Sequence, residues 1–136
     1  MTEFPLKASR IARFAAPAAT VIALVLILGS CKTAPVVIPP DLDAPTLIQK
    51  AQEAADANNY KLAVRYYQSL IDHWKSDPSS LATGEYEIAF IALKQGDKAK
   101  AKALFTSLLA QYDAPGGDAL PDRYKVLAKK LLAELQ

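Results

Sequence analysis

A spacing of 38 residues constrains this chain more than any other feature. Ala51, Ala54, Asn58, Asn59, Tyr60, Ala63, Tyr67 and Leu70 are followed, at that one offset, by Ala89, Ala92, Gly96, Asp97, Lys98, Ala101, Phe105 and Leu108. Eight positions in constant register describe one structural unit written twice. A unit of this length cannot bury an apolar face alone, so each copy must stack on a neighbour.

The periodicity inside the copies is helical. From Pro45 onward no segment carries a strand signal, and five helical segments are predicted. The first covers about 45–57, with Asp43 or Ala44 as N-cap and Pro45 in the first turn, where its missing N–H costs nothing. The second covers about 60–75. Asp77-Pro78 repeats the cap-then-proline signature and opens a third, about 79–95. Gly96 suits the C′ position, and Asp97 caps a fourth helix over about 98–112. Residues 113–118 read as a loop, and a fifth helix starts at Pro121 or Asp122 and reaches about Leu135. Tyr86, Ile88, Ala89, Phe90, Ile91, Ala92 and Leu93 wrap most of the third helix, which is therefore expected at the centre of the core. Narrower stripes run along the second (Leu62, Tyr66, Leu70, Trp74, with Ala63 and Tyr67) and the fourth (Ala101, Leu104, Phe105, Leu108).

The small residues at 51, 63, 89 and 101 let paired helices approach closely, and the aromatics at 67 and 105 fill the gap to the next helix. The turns at Asn58-Asn59 and Gly96-Asp97 need residues that tolerate the left-handed region and can cap a helix. This pattern resembles the tetratricopeptide repeat (TPR), from Pro45 to about Tyr112. It departs from that family in its 38-residue period and in the late position of Pro78. A longer second helix or inter-repeat turn accounts for both. The resemblance implies an all-α fold of TPR-like antiparallel helix pairs, a fragment of a right-handed α-solenoid. Two repeats (about 45–78 and 79–115) would be followed by a capping helix (about 121–135), within a domain spanning 45–136. Tyr124, Leu127, Leu131, Leu132 and Leu135 would seat that last helix on the fourth.

The other end of the chain has a different grammar. Lys7, Arg10 and Arg13 precede an apolar run from Ala15 to Leu28, which is closed by Gly29-Ser30-Cys31. At about 14 residues the run is short of the ~20 that span a bilayer. Leu28-Gly29-Ser30-Cys31 resembles the lipobox of bacterial lipoproteins. The resemblance implies a signal peptide over 1–30, Cys31 as the lipidated N-terminus, and no cofactor beyond that covalent lipid. An uncleaved signal anchor is the alternative reading. Lys32, where enteric inner-membrane lipoproteins tend to have Asp, implies an outer-membrane site facing the periplasm. A lone exported cysteine cannot form an internal disulfide, and acylation would consume it. Prolines at 35, 39 and 40 make residues 31–44 an extended tether. Its Val36-Val37-Ile38 patch either docks on the helical body or is simple linker.

Charge and chemistry narrow the function by exclusion. The first 30 residues hold three basic residues and one acidic residue, which leaves 13 of each sign beyond them. The net positive charge therefore resides in the export segment, and nucleic acid is not an expected partner. His73 is the single histidine, so no zinc or Cys-His site can be assembled. Glu85 and Glu87 lie two apart on a helix and face different ways, a poor acid–base pair. Lys98, Lys100 and Lys102 read as a solvated face or as a contact for an acidic partner or lipid headgroup. No phosphate-binding glycine motif occurs, and the chain is not expected to be an enzyme.

The TPR resemblance places a concave groove on the first helix of each repeat. It assigns Ile48, Gln52, Ala55 and Asp56 from one copy and Thr83, Tyr86, Phe90, Leu93 and Lys94 from the other to a candidate partner-binding surface. A protein or peptide would lie there, unless the fifth helix or the Val36–Ile38 patch fills the groove in cis. The leading expectation is a membrane-anchored adaptor or scaffold in the cell envelope. An accessory solute-binding lipoprotein and a structural lipoprotein without a ligand are the alternatives.

Overall fold

The computed structural model describes residues 36–135. Residues 1–35, with the expected signal peptide, Cys31 and the first part of the expected tether, lie outside them. Among the described residues the fold is all-helical: α1 (Ala44–Asp56), α2 (Tyr60–Trp74), α3 (Pro78–Lys94), α4 (Lys98–Tyr112) and α5 (Asp122–Glu134), with a 3-10 turn at Gly117–Ala119 before α5. Each helix packs on the next in sequence. α1 and α5 also touch α3, so α1, α3 and α5 form one row and α2 and α4 a second.

Local chemistry fixes where the helices start. Asp43, Asn59, Asp77 and Asp97 each accept a hydrogen bond from a free N–H of the first turn, at 2.9 Å from Thr46, 3.2 Å from Leu62, 3.0 Å from Ser80 and 3.0 Å from Lys100. α5 starts differently, after Pro121 and without a side-chain cap. The two intra-pair turns are the same device used twice. Asn58 (φ +58°) and Gly96 (φ +81°) adopt the left-handed conformation. Asn58 N–H then reaches Ala55 O at 2.9 Å and Asn59 N–H reaches Ala54 O at 2.8 Å. Gly96 N–H and Asp97 N–H reach Leu93 O and Ala92 O at 2.9 and 3.0 Å. Both are Schellman closures, and in each the residue that completes the closure is also the N-cap of the following helix. Two residues therefore end one helix, reverse the chain and begin the next.

Packing forms two adjoining clusters. Leu47, Ala51, Ala54, Ala63, Tyr66, Tyr67 and Leu70 of α1 and α2 enclose Ile91 of α3. Ala82, Tyr86, Ala89 and Ala92 of α3 join Ala101, Phe105, Leu108 and Tyr112 of α4 and Tyr124 and Ala128 of α5. α3 feeds both clusters from opposite sides, which explains its broad apolar circumference. Close approach of α2 and α3 is set by Gly84, where an added Cβ would lie 2.6 Å from Ile71 Cγ1 and 3.2 Å from Tyr67 O. Trp74, expected in the α2 stripe, is instead 39% exposed at the helix end.

The tether patch divides. Val37 is 83% exposed, whereas Ile38 and Leu42 pack against the α1–α2 cluster. Arg65 Nη2 donates to Val36 O at 2.7 Å and holds the segment on α2. The second half of the tether thus lies on the helical body, with Ile38 rather than the valines as its apolar contact.

Candidate functional site

The row formed by α1, α3 and α5 presents the surface on which the expected groove residues fall. On α1, Ile48 is partly buried against the first cluster, and Gln52 and Asp56 are exposed one turn apart. On α3, Thr83, Tyr86, Phe90 and Lys94 follow one another along a single stripe, and the structure divides that stripe. Phe90 is partly buried and carries Lys94 Nζ at 5.3 Å from its ring centroid, a cation–π contact at the accessible end. Thr83 and Tyr86 are buried.

Burial of those two removes them from the open surface of the groove. α5 brings Tyr124 onto them. Tyr86 stands 5.2 Å from the Tyr124 ring, 5.7 Å from Phe105 and 6.1 Å from Phe90, the last pair with nearly parallel ring planes. Thr83 Oγ1 donates to Ser79 O at 2.6 Å, so the 2.7 Å bond to Tyr124 is donated by the phenol. Tyr124 Oη in turn accepts from Arg123 Nη2 at 3.1 Å. A chain of bonds from Arg123 to Ser79 thus clamps α5 to α3, and the lower half of the groove is filled in cis.

What stays open is the upper half, which carries the exposed Gln52, Asp56 and Lys94 and the partly buried Phe90. Burial pushes the Tyr67 phenol well above its ordinary range, and the charges of Glu87 and Asp56 push it further. Both carboxylates therefore lie within electrostatic reach of one hydroxyl. Burial also pushes the Glu87 carboxyl up, with Lys94 pulling it back in part. This end of the groove is a polar, acid-rich surface beside one aromatic ring.

A second concavity, which the repeat pattern does not indicate, lies on the opposite side. α2 and α4 stand apart over α3 and leave a cleft of about 230 Å³ walled by Ile71, Ile88, Leu104 and Leu108. Glu85 lies in it, and its Oε2 accepts from Gln111 Nε2 at 2.6 Å. Burial pushes that carboxyl up, with the Gln111 bond lowering it by less. The sequence clue was Gly84: a glycine inside an apolar helix marks close backbone approach, and it fixes the α2–α3 side of the cleft.

His73 and Lys98, Lys100 and Lys102 are all exposed. Among the described residues no group of three or more His, Cys, Asp or Glu is placed to hold a metal ion. No described helix is long and apolar enough to cross a membrane.

No protein-family model matches the chain, and no solved structure matches it. A protein of Treponema pallidum (strain Nichols), named only as an uncharacterized protein, is 32% identical over 87 residues, 64% of this chain. The match covers 35% of that relative, so the chain spans about a third of its length.

Proposed function

We propose that this protein is a lipid-anchored, exported adaptor with a TPR-like helical body, which binds a protein segment on the open half of the α1–α3 face. The observation that carries the reading is the duplicated turn. The left-handed residue, the double closure and the shared cap recur 38 residues apart, as in stacked helix pairs built to present a repeated face. Export and acylation at Cys31 rest on the basic, apolar and small-residue order of residues 7–31. With α5 on Thr83 and Tyr86, recognition falls to Gln52, Asp56, Phe90 and Lys94. A segment offering a basic residue next to an apolar one complements Asp56 and Glu87 beside the Phe90 ring.

The test pairs anchoring with capture. Cys31→Ser is expected to move the protein from the membrane to the soluble fraction and to remove the lipid mass from its N-terminal peptide. Crosslinking in intact cells followed by mass spectrometry is expected to yield a protein partner. Gln52→Ala with Asp56→Lys should lose that partner while leaving the thermal melt unchanged. Membrane retention of Cys31→Ser, or a partner indifferent to the double substitution, refutes the corresponding half of the reading.

A further inference from the structure

The cleft between α2 and α4 and the outer face of α5 are complementary features of one molecule. The cleft has four aliphatic walls and one partly buried carboxylate, Glu85. Among the described residues Gln111 is that carboxylate's only hydrogen-bond donor, and it is neutral. A half-desolvated carboxylate without a cation gains from one delivered on an apolar stem. At about 230 Å³ the cleft admits side chains but not a helix backbone, which is roughly 10 Å across with its side chains.

α5 offers such side chains. Tyr124, Ala128, Leu131 and Leu132 face the body; Leu127, expected to pack with them, is instead 41% exposed at the edge of that face, and Val126 (65% exposed) and Lys130 (exposed) lie beyond it on the outer side. Two exposed aliphatic neighbours followed by a lysine at i+4 and i+3 make a short apolar stripe ending in a cation. The stripe is about 6 Å long, close to the ~4.5 Å separating Ile88 from Glu85 along α3. Polarity fixes direction as well: apolar residues meet the Ile88–Leu104 end and the lysine meets the Glu85 end. The incoming helix then runs antiparallel to α3, as α2 and α4 do.

We infer that the protein associates with itself, the Val126–Leu127–Lys130 face of one copy entering the α2–α4 cleft of a second, with Lys130 paired to Glu85. The two surfaces differ, so the contact is heterologous: the copy that donates α5 keeps a free cleft, and the copy that receives it keeps a free α5. It uses the face opposite the proposed partner groove and does not depend on that groove having a ligand.

The experiment uses the full chain in its native membrane, with a photo-crosslinking amino acid in place of Ser107, an exposed residue on the cleft wall. The expected product is an adduct of dimer mass whose crosslinked peptide lies within residues 122–134. Glu85→Lys and Lys130→Glu should each reduce it at least tenfold. Co-expressing the two variants under different tags should restore it, because both mixed junctions pair opposite charges while each self-junction pairs like ones. Val126→Asp, at an exposed position without a folding role, should abolish it independently of how Glu85→Lys folds. Absence of a dimer adduct in the wild type, an adduct to a different protein, or one undiminished in Lys130→Glu and Val126→Asp overturns the inference.

Discussion

The α1–α2 and α3–α4 pairs share a turn, small-residue contacts and an aromatic, yet they are covered by unrelated means. The first is overlaid by the irregular segment 36–43, through Ile38, Leu42 and the Arg65 bond to Val36. The second is overlaid by α5, through Tyr124 and Ala128. The aromatics follow suit. Tyr67 keeps a hydroxyl where Glu87 and Asp56 act on it, whereas its counterpart Phe105 is sealed beneath Tyr86 and needs none. The repeated positions define how a pair closes; the positions between them decide what the pair meets.

The largest difference between the two pairs is expected at Tyr86 and its counterpart Ile48. Tyr86 is buried among three aromatic rings, and Tyr86→Ala should destabilise by about 3–5 kcal/mol in urea unfolding, as for a buried aromatic truncated in a packed core. Ile48 is only partly buried, so Ile48→Ala should cost clearly less. Equal losses would show that α5 does not make the second pair different.

That contrast also marks how far the sequence could be read. Helix positions, the caps at Asp77 and Asp97 and the left-handed turns follow from short-range chemistry, and those residues state it locally. The filling of the groove by α5 does not, because it rests on Thr83 meeting Tyr124 across 41 residues. A threonine and a tyrosine so far apart carry no pairwise mark in one sequence. The cleft at Glu85 was hidden for a related reason: spacing correctly separates Glu85 from Glu87, but it says nothing of Gln111 on the next helix. Only Gly84 hinted at that side.

A smaller effect separates the two turns. Gly96 adopts φ +81° with no atom near the place of a Cβ, so Gly96→Ala meets only backbone strain, about 1–2 kcal/mol. Asn58 holds the same role at φ +58°, and asparagine tolerates that region. Asn58→Gly should therefore gain a few tenths of a kcal/mol at most, less the Tyr60 hydroxyl bond that Asn58 Oδ1 accepts at 3.0 Å. Thermal melts of the two variants should move in opposite directions or leave Asn58→Gly unmoved. A large loss in Asn58→Gly would mean the turns are not equivalent.

The subtlest difference is electrostatic. Glu87 occupies the position matched in the first pair by Gln49, which is exposed and bonds to Glu53 at 2.8 Å. Burial raises the Glu87 carboxyl above 4.5, Lys94 offsetting part of the shift. The folded chain therefore binds this proton more tightly than the unfolded chain does. Its contribution is fully present below the unfolded value of about 4.5 and is lost as pH rises through the folded pKa. Glu87→Gln removes the titration, so the variant should be more stable than the wild type at pH 7. The two should converge at pH 4, where the carboxyl is already protonated. Asp77 moves the opposite way: the Ser80 bonds lower its carboxyl, and its stabilising share disappears as pH falls. That loss is common to both proteins and cancels in their difference, so chemical unfolding of the pair at the two pH values isolates Glu87. A variant less stable than the wild type at pH 7, with the gap closing on acidification, would place Glu87 in a stabilising ion pair with Lys94, not in a desolvated groove wall.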